Sequence, residues 1–174
     1  IHEKELVQER LAASLRATIE AMSKTMEWRD PYTAGHQKRV AFIAMAIAKK
    51  LGWSDERIQS LYMAGMVHDI GKVAVPSEIL TKPTRLTDLE MQMVQGHVES
   101  GYQILKDIPF PWPIAEMVRK HQERLDGTGY PRGLKGDDIC IEARILAVAD
   151  TIEAMATHRP YRPARGLKAA MDEV

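Results

Sequence analysis

Apolar positions recur every three to four residues along almost the whole chain, and no alternating run is long enough to predict a strand. The predicted class is therefore all-α. Residues 1–28 predict a first helix in which Val7, Leu11, Leu15, Met22 and Met26 recur at near-heptad spacing among charged and amide side chains. Such a stripe suits either a coiled-coil linker joining two copies of the chain or packing on its own domain. Asp30-Pro31 breaks the pattern, and a second helix runs from about Thr33 to Leu51, with Lys49 and Lys50 in its last turn before Gly52. A third follows Ser54 as N-cap and runs to His68 and Asp69, just before Gly71. A loop holding Pro76 and Pro83 follows from Val73 to about Leu86, and Thr87 with Glu90 forms a capping box for a helix to about Lys106. Pro109, Pro111 and Pro113 mark a sharp connection to a shorter helix ending near His121. Five glycine and proline breakers between Asp126 and Asp138 predict an ordered loop. Helices from about Glu142 to Thr157 and from about Gly166 complete the chain.

A chain of 174 residues fits one compact domain, expected over 29–174, with residues 1–28 as a connecting helix. At this length folding buries roughly two-thirds of the unfolded surface, so the fold does not need a metal to hold it together. Lys+Arg and Asp+Glu are both 24 and no basic stripe is interleaved with aromatics, which argues against binding duplex nucleic acid. One cysteine, Cys140, excludes an internal disulfide framework and suits a reducing, cytoplasmic compartment. No stretch approaches the ~18 apolar residues of a membrane helix, so direct membrane insertion of this segment is not expected. Because the chain opens on Ile1, it is expected to be part of a longer protein.

The candidate chemistry emerges when the histidines are set on these helices. His36 shares the face of Val40, Ile43, Ala44, Ile47, Ala48 and Leu51. His68 and Asp69 stand seven residues after Leu61 and Tyr62; His97 lies on the stripe of Met93, Gly101 and Ile104; His121 lies on that of Ile114, Met117 and Val118. Asp150 extends the small-residue face of Ala143 and Ala147. Taken singly, a histidine on an apolar face is more often a satisfied core residue, and an aspartate near a helix end more often a cap. Taken together, five helices each deliver an inward polar group and one delivers two. Burying them uncompensated costs several kcal/mol, and metal ions would compensate them all at once. His2 and His158 are assigned to the surface.

The run His68-Asp69-Ile70-Gly71-Lys72 resembles the signature of the HD superfamily of metal-dependent phosphohydrolases, and His121-Gln122-Glu123-Arg124-Leu125-Asp126-Gly127-Thr128-Gly129-Tyr130-Pro131 resembles the extended signature of its HD-GYP subfamily. Arg29 to His36, His97, Asp150 and the run Arg159-Pro160-Tyr161-Arg162 follow in the family's order. The resemblance implies an all-α HD-domain bundle with a glycine-rich GYP loop. It implies cleavage of a cyclic dinucleotide, first of all cyclic di-GMP, to pGpG and further to GMP in some members, by a metal-bridging hydroxide in bacterial second-messenger signalling. Carried over by motif position, His36, His68, Asp69 and Asp150 would hold one metal, and Asp69 would bridge to a second held by His97 and His121. Imidazole-rich ligation favours two divalent transition metals, iron or manganese first, with nickel, cobalt or zinc as alternatives. Lys72 could neutralise charge on the phosphate. Gly129 permits close backbone approach, Tyr130 offers a ring or a hydroxyl, and Arg159 and Arg162 offer bidentate contacts to phosphate or guanine. An upstream sensor or receiver domain and a homodimer through the first helix are the expected partners.

Three positions depart from the family pattern. Gln122 stands where many members carry a second histidine, and Tyr32 where members with a third metal often have glutamate, so two metals are expected rather than three. Glu153 stands where aspartate is common. Two competing readings remain: an HD-superfamily hydrolase acting on another nucleotide, and a non-catalytic domain that binds a cyclic dinucleotide or a partner protein.

Overall fold

The computed structural model describes residues 2–30, 33–157 and 164–173. The helices are α1 His2–Arg29, α2 His36–Lys50, α3 Asp55–Val67, α4 Ser77–Leu80, α5 Asp88–Gln95, α6 His97–Leu105, α7 Ile114–Lys120, α8 Ile141–Ala156 and α9 Gly166–Glu173. Short 3-10 turns lie at Ile70–Ala74 and Gly136–Asp138, and among the described residues the sole β-pairing is an isolated bridge between Asp126 and Lys135. The all-α expectation holds. Ser54 accepts a hydrogen bond from the Arg57 backbone N–H, and Thr87 and Glu90 form the reciprocal capping box read from the sequence.

Helices α2, α3 and α8 form the centre. They meet through small side chains, with Ala41, Ala44, Ala48, Ala64, Ala143 and Ala149 fully buried. Small faces let helix axes approach to the low end of the usual 8–10 Å range, so polar groups on different helices come within reach of one another. Larger residues, among them Leu61, Leu105, Ile114 and Leu146, fill the rest of the core. The second half of α1 belongs to this core through Ile19 and Met26, whereas Val7 and Leu11 are exposed. Of the stripe read on that helix, only the C-terminal part packs on the domain. Arg29, at the end of α1, donates to the Val73 and Val75 carbonyls and so holds the 3-10 turn that carries Lys72.

Two predicted helices are broken, and each break matters. The third helix stops at Val67 instead of continuing through Asp69, and a 3-10 turn begins at Ile70. In 3-10 geometry side chains three apart eclipse, which stacks Lys72 against Asp69. The fourth predicted helix is divided at Gly96 into α5 and α6. Glycine is the weakest ordinary helix former, and beyond it α6 buries His97, Val98, Gly101 and Leu105. Met93 and Ile104, expected inward beside His97, are exposed, and so is Leu51 beyond the end of α2. The expected loop from Val73 to Leu86 contains the end of that 3-10 turn and the one-turn helix α4.

The 3-10 turn lies directly on α6. A Cβ placed on Gly71 would stand 1.8 Å from the His97 carbonyl oxygen and 2.4 Å from the Gly101 nitrogen, both of them backbone atoms that cannot step aside. Gly71→Ala is therefore expected to cost about 3 kcal/mol or more, at the upper end of overpacking penalties, read as a fall in the urea midpoint. A loss under about 1 kcal/mol would mean that the turn and α6 are not in backbone contact.

Candidate metal centre

Helices α2, α3, α6, α7 and α8 aim polar groups at one point inside the bundle. His36, His68, Asp69, His97 and His121 are all buried, and Asp150 is about one-fifth exposed. Neighbouring rings stand 5.1 Å apart for His68 and His121, 5.4 Å for His36 and His68, and 5.5 Å for His97 and His121. Asp69 is the hub: Oδ1 lies 3.4 Å from His97 Nε2, and Oδ2 lies 3.6 Å from His68 Nε2 and 3.8 Å from His36 Nε2. Asp150 Oδ1 lies 3.2 Å from His36 Nε2 and 3.9 Å from His68 Nε2. The six residues proposed from the sequence as ligands thus converge.

Three of the histidines share one device. His68, His97 and His121 each sit three residues after a backbone carbonyl, those of Gly65, Val94 and Val118, which accepts from the ring Nδ1 at 2.7, 2.7 and 2.6 Å. A carbonyl can only accept, so Nδ1 carries the proton and Nε2 keeps its lone pair. Those three Nε2 atoms are buried and have no hydrogen-bond partner. Leaving such an acceptor unpaired inside a protein costs about 1–3 kcal/mol each, and three together facing carboxylates fit a divalent cation. Three ligand groups lie within 4.8 Å: His36 with His68 and Asp69, His68 with His121 and Asp150, and Asp69 with His97 and His121.

The fourth histidine is held differently. His36 Nδ1 donates to Glu153, whose carboxylate also accepts from Arg39 Nε at 2.7 Å and from the Thr157 hydroxyl at 2.9 Å. A carboxylate behind an imidazole fixes the ring's orientation and raises its basicity. Glu153 thus stands behind a candidate ligand, whereas by sequence it reads only as a longer replacement for aspartate. Its spacing of three from Asp150 on α8, one helical turn, is the signal that could have found it. Gln122 likewise has a defined role, donating to Asp150 Oδ2 at 3.2 Å and so orienting that carboxylate.

Electrostatics follow from burial and neighbours. Burial drives His121 down to about 3, helped by the nearby His68 and His97, and lowers His97 as well. For His36 burial acts downward, but hydrogen bonds to Asp150 and Glu153 outweigh it and raise the ring to about 9. Burial alone would raise Asp69, yet the Lys72 ammonium and the surrounding imidazoles hold it well below its ordinary value. Lys72 Nζ donates to Asp69 Oδ2 at 2.7 Å, and this contact raises the Lys72 pKa against the effect of burial. Tyr130, half-buried with its ring 6.5 Å from that of His97, is raised by burial and then by Asp69 and Asp150, so its phenol stays protonated and can donate. Gly129 lies in the same loop, whereas Arg159 and Arg162, together with Tyr32 and His158, lie outside the described residues, as does the His2 side chain. A cleft of about 340 Å³ between residues 121–126 and α8 opens onto His121, Gln122 and Asp150, with Arg124, Arg144 and Thr151 on its walls.

Residues 10–174 match the HD domain family. The chain is 37% identical over 174 residues to the cyclic di-GMP phosphodiesterase response regulator RpfG of Xanthomonas campestris, covering 95% of this chain and 46% of that protein. It is 42% identical over 160 residues to the 3'3'-cGAMP-specific phosphodiesterase 3 of Vibrio cholerae, covering 91% of this chain and 35% of that protein. It thus spans less than half the length of these relatives. The PgpH HD domain of Listeria monocytogenes, solved with cyclic-di-AMP, superposes with a TM-score of 0.65 at 22% identity, over 88% of this chain and 80% of that one.

The two kinds of histidine give opposite pH limbs in chelated protein. His121 takes a proton near 6.5 when unfolded but only at about 3 when folded, so stability falls as pH drops from 6.5 toward 3. His36, raised to about 9, contributes fully below 6.5 and loses its contribution as pH rises through 9. Urea unfolding of the metal-free chain should therefore weaken on both sides, and His121→Gln should flatten the limb between pH ~4.5 and 6.5, above the range in which carboxylates titrate. An unchanged acid limb in that variant would show that the ring is not buried neutral.

Proposed function

The chain belongs to the HD domain family and carries the extended HD-GYP signature at 121–131, and from that premise we propose that it hydrolyses a cyclic dinucleotide, first of all cyclic di-GMP, to the linear pGpG. One observation carries the reading: three buried Nε2 lone pairs, each locked in the metal-ready tautomer, face one buried carboxylate. In this reading His36, His68, Asp69 and Asp150 hold one divalent transition metal, and Asp69, His97 and His121 hold the other. Bound there, two such ions, iron or manganese first and nickel, cobalt or zinc as alternatives, supply Lewis-acid polarisation of the phosphate and acidify water at neutral pH.

The chain's own residues do the rest. The backbone carbonyls and Glu153 orient the rings, and Gln122 orients Asp150 in place of the histidine that a third metal would use, which supports two metals rather than three. Lys72, already paired with Asp69, is proposed to donate to a non-bridging phosphate oxygen, and Tyr130 to donate to the substrate or stack on a base, with Gly129 letting the backbone approach. Arg159 and Arg162 are proposed as contacts to phosphate or guanine. The cleft beside Gln122 is of ligand-binding size, above the ~300 Å³ lower range. Cyclic GMP-AMP is the second substrate reading, favoured by the relative at 42% identity, whose name specifies that nucleotide.

Among the described residues no helix is long and apolar enough to cross a membrane. The domain is proposed to act in the cytoplasm as the output of a larger sensor protein, with residues 1–28 as the connecting helix. The exposed Val7 and Leu11 support pairing of two copies through the first half of α1. Light scattering should then show a dimer that becomes monomeric when residues 2–14 are removed; a monomer at high concentration in both forms ends the pairing idea.

Anaerobic purification followed by elemental analysis should find about two transition metals per chain, with turnover of cyclic di-GMP or cyclic GMP-AMP. Asp69→Ala should abolish turnover and lower bound metal. Lys72→Ala should keep the metals and slow hydrolysis by about 10²–10³, the scale of losing one transition-state donor. Full metal loading with no turnover of any cyclic dinucleotide would favour a binding role instead.

A further inference from the structure

The loop of residues 124–136 is built around a buried side chain that is not one of the six converging ligands. Glu123 is 4% exposed, and its two carboxylate oxygens accept separately from the Arg132 and Leu134 backbone N–H groups, each at 2.8 Å. Those amides lie on the far arm of the loop, nine and eleven residues on, and straddle Gly133. The near arm is pinned by Tyr130 N–H donating to the Gln122 carbonyl at 3.1 Å. There the backbone passes so close that a Cβ on Gly129 would stand 2.3 Å from the Arg124 nitrogen and 2.5 Å from Glu123 Cα. Tyr130 therefore has its backbone fixed by the residues just after His121, while the carboxylate of Glu123 keeps the returning arm folded against them.

We propose that Glu123 is a positioning residue that preorganises the glycine-rich loop, and with it Tyr130, as the wall of the substrate site. The catalytic part of this inference rests on the cyclic-dinucleotide reading above. A buried carboxylate needs donors on both oxygens to offset its lost hydration, and two amides of one returning chain arm provide them only when the loop is closed. The loop is thus tied to the same backbone segment that carries His121 and Gln122. The metal ligands reach their site without Glu123, so removing the clamp loosens the wall and leaves the metal centre in place. A carboxamide cannot replace the carboxylate, because its NH₂ group would face one of the two N–H donors.

The test joins amide exchange with kinetics. In the wild-type chain, metals bound, the Arg132 and Leu134 amides should exchange slowly although both residues lie in a loop; exchange at unprotected rates would overturn the clamp whether or not any variant folds. In Glu123→Gln both amides should exchange at least ~10-fold faster with metal content retained. Its KM for the cyclic dinucleotide should rise about 10-fold or more with a smaller change in kcat, because a loosened binding wall costs ordering of the substrate. Its loss in kcat/KM should be far smaller on bis(p-nitrophenyl) phosphate, which is too small to need the wall. Faster exchange with an unchanged KM would reduce Glu123 to a structural tie and overturn its positioning role. Wild-type protein that turns over no cyclic dinucleotide would end the functional reading, and the exchange rates would still decide the clamp.

Discussion

Three hydrogen bonds from imidazole Nδ1 to a carbonyl three residues earlier set the form of the candidate metal centre. At His68, His97 and His121 the bond uses a backbone acceptor near the histidine's own position, fixes the tautomer and leaves an Nε2 lone pair pointing inward. No distant partner is needed to aim the ring, so each helix carries its ligand already oriented. Assembly of the bundle then has only to bring the helices together. His36 is the exception, since its ring depends on Glu153 of α8 and so on tertiary packing.

The scaffold answers that demand with small side chains. Alanines on α2, α3 and α8 and the glycine pair Gly71 and Gly101 bring backbones into near contact, which closes the ligands to ring separations of 5.1–5.5 Å. The same closeness concentrates charge. Asp69 lies among three imidazoles and the Lys72 ammonium, so its ionised form is stabilised despite complete burial, and Lys72 in turn stays charged because Asp69 is there. An arrangement of this kind holds a carboxylate ready for a cation without the cost of deprotonating it first.

Control of the turn that carries Asp69 and Lys72 does not lie in the turn alone. Arg29 reaches it from the end of α1 through two backbone carbonyls, and α6 supports it through Gly71. The helix whose first half is exposed is thus joined through Arg29 to the turn that carries the Asp69–Lys72 pair of the candidate metal centre.

The sequence by itself determined the helical class, the caps at Ser54 and Thr87, and all six converging side chains, because helical periodicity and capping are local properties that inward-facing polar residues betray by their spacing. It also marked Gly129 and Tyr130 through their motif. Where elements end was less legible: that the third helix tightens into a 3-10 turn at Ile70, and that Gly96 divides α5 from α6, depends on the close contact of that turn with α6, which no local pattern encodes. Tertiary structure alone decided which carboxylate holds His36, what Gln122 does in place of a histidine, and that Glu123 closes the loop on itself. Each of those is a pairing between residues far apart in the chain or in direction, and a buried acid's role is set by which donors surround it once the chain has folded.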